Sequence, residues 1–215
     1  MGFGNISEHA ADTIREMIVA GALPDGERIN EVHLADELGV SRTPLREGLG
    51  RLVAEGIVTS APRRGFFVVP LSLEEFRQLY GIRPLLDPEA LRLSGIPSHD
   101  SVERLDDLNR QLLSATTASA AVDLDNTWHL ELLAGCPNRV LVELIQQMIA
   151  RTRRYEHALF RETQNVWTAT DEHDAIIAAL RDSNLEFACA MLKRNMQSGL
   201  EPIVEWLTKR TGKHQ

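Results

Sequence analysis

The feature that most constrains this chain of 215 residues is a glycine turn between two helical patterns, at Gly39. Residues 31–38 have the pattern of a short helix, and Ser41 opens a second helical pattern that continues to about Glu55. Gly39 supplies the left-handed backbone position that a tight helix end favours, and Pro44 falls in the first turn of the second helix, where its missing N–H costs nothing. Helix, short glycine turn and helix together predict a helix-turn-helix, whose second helix can enter the major groove of DNA by its N-terminal end.

The N-terminal end of that second helix carries side chains that can read DNA. Arg42, Thr43 and Arg46 project from its first turn and a half. An arginine can donate two hydrogen bonds to O6 and N7 of guanine, and a threonine can contact a base edge or a phosphate. Arg63 and Arg64 occupy the turn of a predicted β-hairpin, which we expect to act as a wing that reaches the minor groove or the DNA backbone.

The distribution of charge agrees with DNA binding by this part of the chain. The whole chain carries 23 Lys and Arg against 31 Asp and Glu, a formal net charge of -8, which excludes a uniformly basic coat. Residues 38–70 alone carry five Arg against Glu47 and Glu55, a net charge of +3. With two cysteines, no apolar run of about 18 residues and no secretory signal, the sequence predicts a reduced, cytoplasmic protein without a membrane span.

About residues 7–70 resemble the winged helix-turn-helix of GntR-type bacterial transcription regulators. Residue types and spacing carry the resemblance through LADELGVSRTPLREGLGRLVAEGIV and then RRGFFV. One departure is Val32, which stands where some members of the family carry a DNA-contacting arginine. The resemblance implies DNA contacts from the second helix and the wing: Arg42, Thr43, Arg46, Arg64 and Gly65.

Beyond Leu71 nearly every segment has helical period, which predicts six or seven helices in an antiparallel bundle. Ser72-Leu73-Glu74-Glu75 has the form of a capping box, so a helix is expected to begin there. The fold class is therefore mainly α: a winged helix-turn-helix of three helices and a β-hairpin wing, followed by an all-helical antiparallel bundle. We expect a DNA-binding domain at residues 1–70, a linker with the start of the first bundle helix at 71–80, and the bundle at 81–215.

Two further expectations concern details of the bundle. The last helical pattern, about Leu185–Leu207, contains Pro202, which is expected to kink a continuous helix. Arg151, Arg153 and Arg154, together with His157, are expected to form a solvated helix face.

Polar side chains on apolar helix faces are candidates for a metal site. Asp125 and His129 lie four residues apart and share a face with leucines and a valine. His173 and Asn195 lie on the apolar faces of two later helices. Three helices thus each direct polar groups into the bundle interior, which is how helical bundles build metal sites. The alternative is a core without metal, in which Asp125 pairs with His129.

The bundle resembles the FCD effector domain of the FadR subfamily, through DNTWHLELLAGCPNRVL, DEHDAIIAAL and ACAMLKRNM. The resemblance implies an effector-binding and dimerisation domain that holds a divalent metal, often zinc or nickel, through Asp125, His129 and His173. Asn195 stands where the family has another histidine, and its carbonyl oxygen favours a harder metal such as manganese. The resemblance also implies that Arg83 binds the carboxylate of an effector.

These observations predict a ligand-responsive, DNA-binding transcription regulator with no catalytic residues. The resemblance implies a repressor that a small organic acid releases. A homodimer on two-fold half-sites in double-stranded DNA is expected, because one recognition helix reads only a few base pairs. Two alternatives remain: a regulator that senses fatty acyl-CoA without a metal, and a metal-dependent enzyme on the bundle, which would need an activated water and a general base.

Overall fold

The computed structural model describes residues 3–163 and 170–212, which divide between two compact units, Met1–Leu71 and Ser72–Gln215. The described residues form ten helices and one two-stranded antiparallel sheet. A helix-turn-helix with a hairpin wing is followed by a helical bundle, and the predicted fold class is confirmed. None of the described helices is long and apolar enough to cross a lipid bilayer.

The first unit contains three helices and the hairpin. The bounds are α1 Phe3–Ala20, α2 Glu31–Glu37, α3 Arg42–Ala54, β1 Val58–Ala61 and β2 Gly65–Val68. Strands β1 and β2 pair from Val58↔Val68 to Ala61↔Gly65. Asn30 caps α2, where its Oδ1 accepts hydrogen bonds from the backbone N–H groups of Val32 and His33, both at 3.2 Å.

Helices α1 and α3 approach each other closely at Gly48. A Cβ atom at this position would lie 2.9 Å from the carbonyl oxygen of Ser7 on α1, so a larger residue would force the two helices apart. The contact buries the apolar side of α3, including Leu45, Leu49 and Leu52, against α1. The polar side of α3 is thereby left facing solvent.

The second unit contains seven helices in its described residues, within the predicted six or seven. The bounds are α4 Leu73–Ser94, α5 His99–Leu113, α6 Ala118–Leu132, α7 Arg139–Thr163, α8 Thr170–Arg181, α9 Leu185–Ser198 and α10 Leu200–Gly212. Ser72 caps α4, where its Oγ accepts a hydrogen bond from the backbone N–H of Glu75 at 3.3 Å, as the capping box predicted. The core lies between α4, α7 and α9 on one side and α5, α6 and α8 on the other.

The interruption that Pro202 predicts is confirmed, since α9 ends at Ser198, whose carbonyl would accept the helical N–H that a proline at position 202 lacks. The expectation of one kinked helix is wrong, because the chain breaks at Gly199 and forms two helices, α9 and α10. Pro202 lies in the first turn of α10, where a backbone N–H has no helical partner to lose. Gly199 is buried against Tyr80, and a Cβ there would lie 3.1 Å from the phenolic oxygen.

The predicted solvated face on α7 is also wrong. Arg154 is only 3% exposed and His157 only 8%. The Glu75 carboxylate, on α4, accepts hydrogen bonds from the Tyr155 hydroxyl and from the guanidinium groups of Arg151 and Arg154. These contacts join the start of α4 to the middle of α7 by a partly buried charged cluster.

Charge compensation at Glu75 makes the stability of the bundle dependent on pH. Burial by itself would raise the pKa of the Glu75 carboxyl, but the hydrogen bonds from Tyr155 and Arg151 and the charge of Arg154 lower it below its ordinary value of 4.5. A carboxyl whose pKa is lower in the folded state stabilises the fold above its unfolded pKa and loses that contribution as the pH falls through the folded pKa.

We therefore expect Glu75→Gln to lower the free energy of unfolding at pH 7 by about 1–3 kcal/mol, because the hydrogen bonds from Arg151, Arg154 and Tyr155 lose a charged acceptor. The difference in the free energy of unfolding between Glu75→Gln and wild type should become smaller as the pH is lowered below about 4. In this range the Glu75 carboxylate of wild type becomes protonated and loses its charge. Urea denaturation over this pH range measures both effects. Glu74→Gln, at an exposed neighbouring position, is the matched control. A Glu75→Gln difference that is the same at pH 7 and pH 3 would contradict the prediction.

Candidate functional site

The N-terminal end of α3 presents the predicted DNA-reading side chains to solvent. Arg42, Thr43 and Arg46 are exposed, whereas Pro44 and Leu45 between them are buried. The three exposed residues line one wall of a groove, and the segment before α2 together with its first turn forms the opposite wall. The guanidinium and hydroxyl groups in this groove are therefore accessible to a polyanion.

The direction of Arg46 is set by two neighbours. Its Nε lies 3.4 Å from Oε2 of Glu31, at the start of α2, and its guanidinium carbon lies 5.8 Å from the ring centre of Phe66 on β2. The ion pair and the aromatic face limit the rotamers available to a long side chain that is otherwise exposed. Arg46 is therefore partly ordered before it meets any ligand.

The hairpin wing carries the remaining predicted residues. Arg63 and Arg64 are exposed in its turn, and Arg63 adopts a positive φ of 63°. The guanidinium carbon of Arg64 lies 5.6 Å from the ring centre of Phe67. Gly65 has a φ of 93°, a conformation that favours glycine, and a Cβ there would approach the Glu31 carboxylate at 3.5 Å. The base of the wing therefore lies beside the groove.

Sequence reasoning missed Arg28. Its exposed side chain lines the same groove as Arg42 and Arg46, and its guanidinium lies beside Gly65, with Nε 3.7 Å from where a Cβ would stand. Arg28 belongs to a non-helical segment, so no helical periodicity relates it to α3. An isolated bridge to Phe67 of β2 brings it to the groove.

In the second unit, three predicted ligands come together although they lie on two helices. Nε2 of His129 lies 3.7 Å from Oδ2 of Asp125, and Nε2 of His173 lies 3.6 Å from Oδ1 of the same carboxylate. One donor atom from each of the three residues lies within 4.8 Å of the other two. These distances are too long for hydrogen bonds but suit three ligands arranged around one cation.

The tautomer of His173 is set by Asn109 of α5. Nδ1 of His173 lies 3.1 Å from Oδ1 of Asn109. The Asn109 amide nitrogen donates to the Thr170 carbonyl at 3.1 Å and to Oδ1 of Asp174 at 2.7 Å, so its oxygen accepts from the imidazole. Nε2 of His173 then carries the lone pair, is buried, and has no hydrogen-bond partner in the described part of the chain. A ligand histidine with its other nitrogen held in this way is typical of metal sites.

Burial keeps both imidazoles in the neutral form that binds metals. It lowers the pKa of His173 to about 3, and that of His129 well below its ordinary value, because an imidazolium would lose its hydration. Burial likewise raises the pKa of the Asp125 carboxyl to about 7. A bound cation would compensate the Asp125 charge that burial disfavours, so the donor set fits a divalent metal.

Asn195 and Arg83 line the same cavity as Asp125 and His129. The Asn195 amide nitrogen donates to Oε2 of Glu172 at 3.0 Å, which leaves its buried Oδ1 without a hydrogen-bond partner among the described residues. Arg83, also buried, donates through Nη2 to Oδ2 of Asp87 at 2.8 Å. Its Nε makes no hydrogen bond within the described ranges. His173 does not line this cavity but lies beside Asp125, which does. The structure thus brings together all five candidates of the bundle: Arg83, Asp125, His129, His173 and Asn195.

Asn109 and Trp128 were missed as supporting residues of this site. The Trp128 ring stacks on the His173 imidazole, with 3.7 Å between ring centres and 5° between planes. The indole N–H donates to the Leu105 carbonyl at 3.1 Å. Asn109 follows Leu105 by four residues and therefore lies on the apolar face of α5. A polar residue on that face was the sequence signal that could have identified Asn109 as part of the site.

Comparison with known proteins finds a matching family model in each of the two units. Residues 6–68 match the model of the family described as bacterial regulatory proteins, gntR family, and residues 78–198 match the FCD domain. The Nta operon transcriptional regulator of Aminobacter aminovorans is 31% identical over 192 residues, which cover 88% of this chain and 90% of that protein. The transcriptional repressor GlaR of Escherichia coli K12 is 22% identical, over 89% of this chain and 92% of its own.

Solved structures show the same fold. McbR/YncC of E. coli superposes with a TM-score of 0.80 at 22% identity, covering 94% of this chain and 98% of that one. A GntR-family regulator from Pseudomonas syringae pv. tomato gives a TM-score of 0.61 at 25% identity, over 100% of this chain and 91% of its own. The match to the FCD domain ends before α10, which begins at Leu200.

The metal-site geometry predicts that His173→Ala reduces the metal content of the purified protein, because one of three converging donor atoms is removed. Elemental analysis after dialysis against trace zinc, nickel or manganese measures the change. His99→Ala is the control, since His99 is exposed at the start of α5. Metal content equal to wild type in His173→Ala would remove this residue from the ligand set.

Asn109→Ala should weaken metal affinity about 10–100-fold, because the ligand histidine His173 loses the hydrogen-bond partner that orients its ring.

Proposed function

The chain belongs to the gntR family of bacterial regulatory proteins and carries an FCD domain, and we propose that this DNA-binding transcription regulator is a repressor that a small organic acid releases. The family and its relatives indicate a regulator and not an enzyme. The proposal places its action in the cytoplasm, where it would meet double-stranded DNA.

One observation carries the assignment of the DNA-reading surface: the exposed N-terminal end of α3. Arg42, Thr43 and Arg46 are exposed there together, because the apolar side of α3 is buried in the core of the unit. The first turn of a helix also attracts phosphate through its unpaired backbone N–H groups. In the proposed complex these side chains read base edges, while Arg63, Arg64 and Gly65 contact the minor groove or the backbone.

We assign a divalent metal to Asp125, His129 and His173, with the carbonyl oxygen of Asn195 as a fourth ligand. The orphaned oxygen of Asn195 and the orphaned Nε2 of His173 support this assignment. A mixed oxygen and nitrogen set is compatible with zinc, nickel or manganese. When bound, the metal would supply positive charge and an open coordination position for a carboxylate. Arg83, whose Nε is available as a donor, would bind the same carboxylate.

Two-fold symmetry is part of the proposal. One recognition helix reads only a few base pairs, so useful specificity requires two half-sites and a homodimer. In support, α4 exposes Ile82 and Leu85, which are 38% and 64% accessible, while neighbouring Arg83 and Pro84 are buried. Exposed apolar side chains next to one another on a helix favour contact with a second copy.

The DNA-reading assignment is tested by Arg42→Ala, with a duplex selected from fragments of the source genome as the probe. Loss of a base contact should lower affinity for this duplex by about 1–3 kcal/mol and relax the preference at one position of the site. Arg51→Ala is the matched control, because Arg51 is exposed on the same helix nine residues later and about half a turn round. Equal affinity of Arg42→Ala and wild type at the same salt concentration would overturn the assignment.

The effector assignment is tested by measuring duplex affinity in the presence of a panel of small organic acids, with and without EDTA. We expect at least one acid to weaken DNA binding of the metal-loaded protein, and EDTA to remove this response while DNA binding persists. Release by a fatty acyl thioester after EDTA treatment would instead favour the acyl-CoA-sensing alternative. A response to acids that survives complete removal of metal would contradict the metal assignment.

A further inference from the structure

One apolar side chain lines the polar groove between α2 and α3. Val32, in the first turn of α2, is 58% exposed and lines this groove together with Arg42 and Arg46. Among the described residues of the first unit, it is the only large apolar side chain that is mostly exposed. The core of the unit includes Leu34 and Ala35 of the same helix but not Val32. Val32 therefore presents a hydrocarbon surface to whatever enters the groove.

The position of Val32 is fixed before any ligand binds. Asn30 caps α2, and its Oδ1 accepts a hydrogen bond from the N–H of Val32 at 3.2 Å. The preceding residue, Glu31, places its Oε2 3.4 Å from Nε of Arg46 on α3, which connects the two walls of the groove. A β-branched side chain on a helix has one strongly preferred rotamer. The hydrocarbon surface of Val32 is thus held at a defined place opposite α3.

The charges around Val32 attract a polyanion to both walls of the groove. Arg28 lies on the same wall as Val32, whereas Arg42 and Arg46 lie on the opposite wall. Glu31 is the one carboxylate among the residues that line the groove, and Arg46 lies beside it. Three arginines against one glutamate give the lining a net positive charge. A DNA duplex that is drawn to α3 is therefore drawn to the wall of Val32 as well.

Val32 also lies close to the end of α3 that carries the proposed base contacts. Asn30, Val32 and Arg42 line both this groove and a second depression that includes Ser41, the residue before α3. Val32 and Arg42 are therefore neighbours across the space between the two helices. A duplex that receives Arg42 in its major groove brings the edges of adjacent bases to Val32.

The chemistry of valine limits what it can recognise on DNA. Its side chain neither donates nor accepts a hydrogen bond, so a phosphate or a polar base edge placed against it would lose hydration without gaining a partner. The C5-methyl group of thymine is the apolar group that base edges present in the major groove. Contact between this methyl group and Val32 removes hydrocarbon from water on both sides. Among the four bases of unmodified DNA, thymine is the one that matches Val32.

We infer that Val32 is a specificity-determining residue, and that it selects a thymine in each half-site through the C5-methyl group of that base. The inference rests on the proposed DNA-reading surface, and it adds to this surface one base and the residue that selects it. Arg42 and Arg46 supply hydrogen bonds from one wall of the groove, and Val32 supplies an apolar contact from the other.

The test removes single methyl groups from the DNA. A duplex that the full-length protein selects from fragments of the source genome is prepared as a series, in which each thymine of one half-site is replaced in turn by uracil. Uracil differs from thymine only by the missing C5-methyl group, so one replacement should weaken binding by wild type about fourfold. Val32→Ala should bind the thymine and uracil forms of this duplex with equal affinity. Fluorescence anisotropy at one salt concentration measures both ratios.

Val140→Ala is the matched control, because it makes the same substitution at an exposed valine in the first turn of α7, in the other unit. It should keep the fourfold preference of wild type for the thymine form. Thermal unfolding of Val32→Ala should match that of wild type, since the Val32 side chain lies outside the core. Equal thermal unfolding would show that the lost preference is not a loss of folding.

Two outcomes would overturn the inference without overturning the proposed function. Val32 does not read a methyl group if no replacement by uracil weakens binding by wild type, or if Val32→Ala discriminates at the same thymine as wild type does. The DNA-reading assignment would stand in either case, provided that Arg42→Ala still loses affinity for the duplex. If wild type prefers no duplex to bulk genomic DNA, both the proposed function and the inference are wrong.

Discussion

The hydrogen bond between His173 and Asn109 joins α8 to α5 in the interior of the bundle. The amide nitrogen of Asn109 donates to Thr170 and Asp174, so its oxygen faces the imidazole, and this contact determines the tautomer of His173. Without it, both nitrogens of a buried imidazole would lack partners, and each unsatisfied group costs about 1–3 kcal/mol. The geometry of the proposed metal centre thus depends on a residue that is not itself a ligand.

In the DNA-binding unit, the corresponding constraint is steric. Gly48 allows α3 to approach the backbone of α1, and this approach commits one whole side of α3 to the core. The opposite side must then face solvent, and it carries Arg42 and Arg46. Glu31 and the ring of Phe66 restrict Arg46 further, so that less side-chain entropy is lost when it binds. The close approach of α1 and α3 therefore both buries the apolar side of α3 and leaves Arg42 and Arg46 exposed to bind DNA.

Local signals predicted the elements well. Ser72 caps α4 as expected, and α8 has the bounds Thr170–Arg181 that its apolar period indicated. The errors concern partners that are distant in sequence. Arg154 was assigned to solvent because a charged face of an isolated helix is normally hydrated, but Arg154 is buried and pairs with Glu75, 79 residues away. Likewise one kinked helix was expected around Pro202, whereas Gly199 packs against Tyr80 of α4 and the chain forms two helices there.

The amino-acid sequence alone indicated a winged helix-turn-helix followed by a helical bundle, and it named candidate DNA and metal residues, although not Arg28. Caps, glycine turns and apolar periods act over a few residues, so they can be read directly from neighbouring positions. Folding of each unit was needed to bring Arg28 beside Arg42 and to orient His173 through Asn109. Such contacts join residues far apart in the chain, and only the packing of whole helices determines which of them meet.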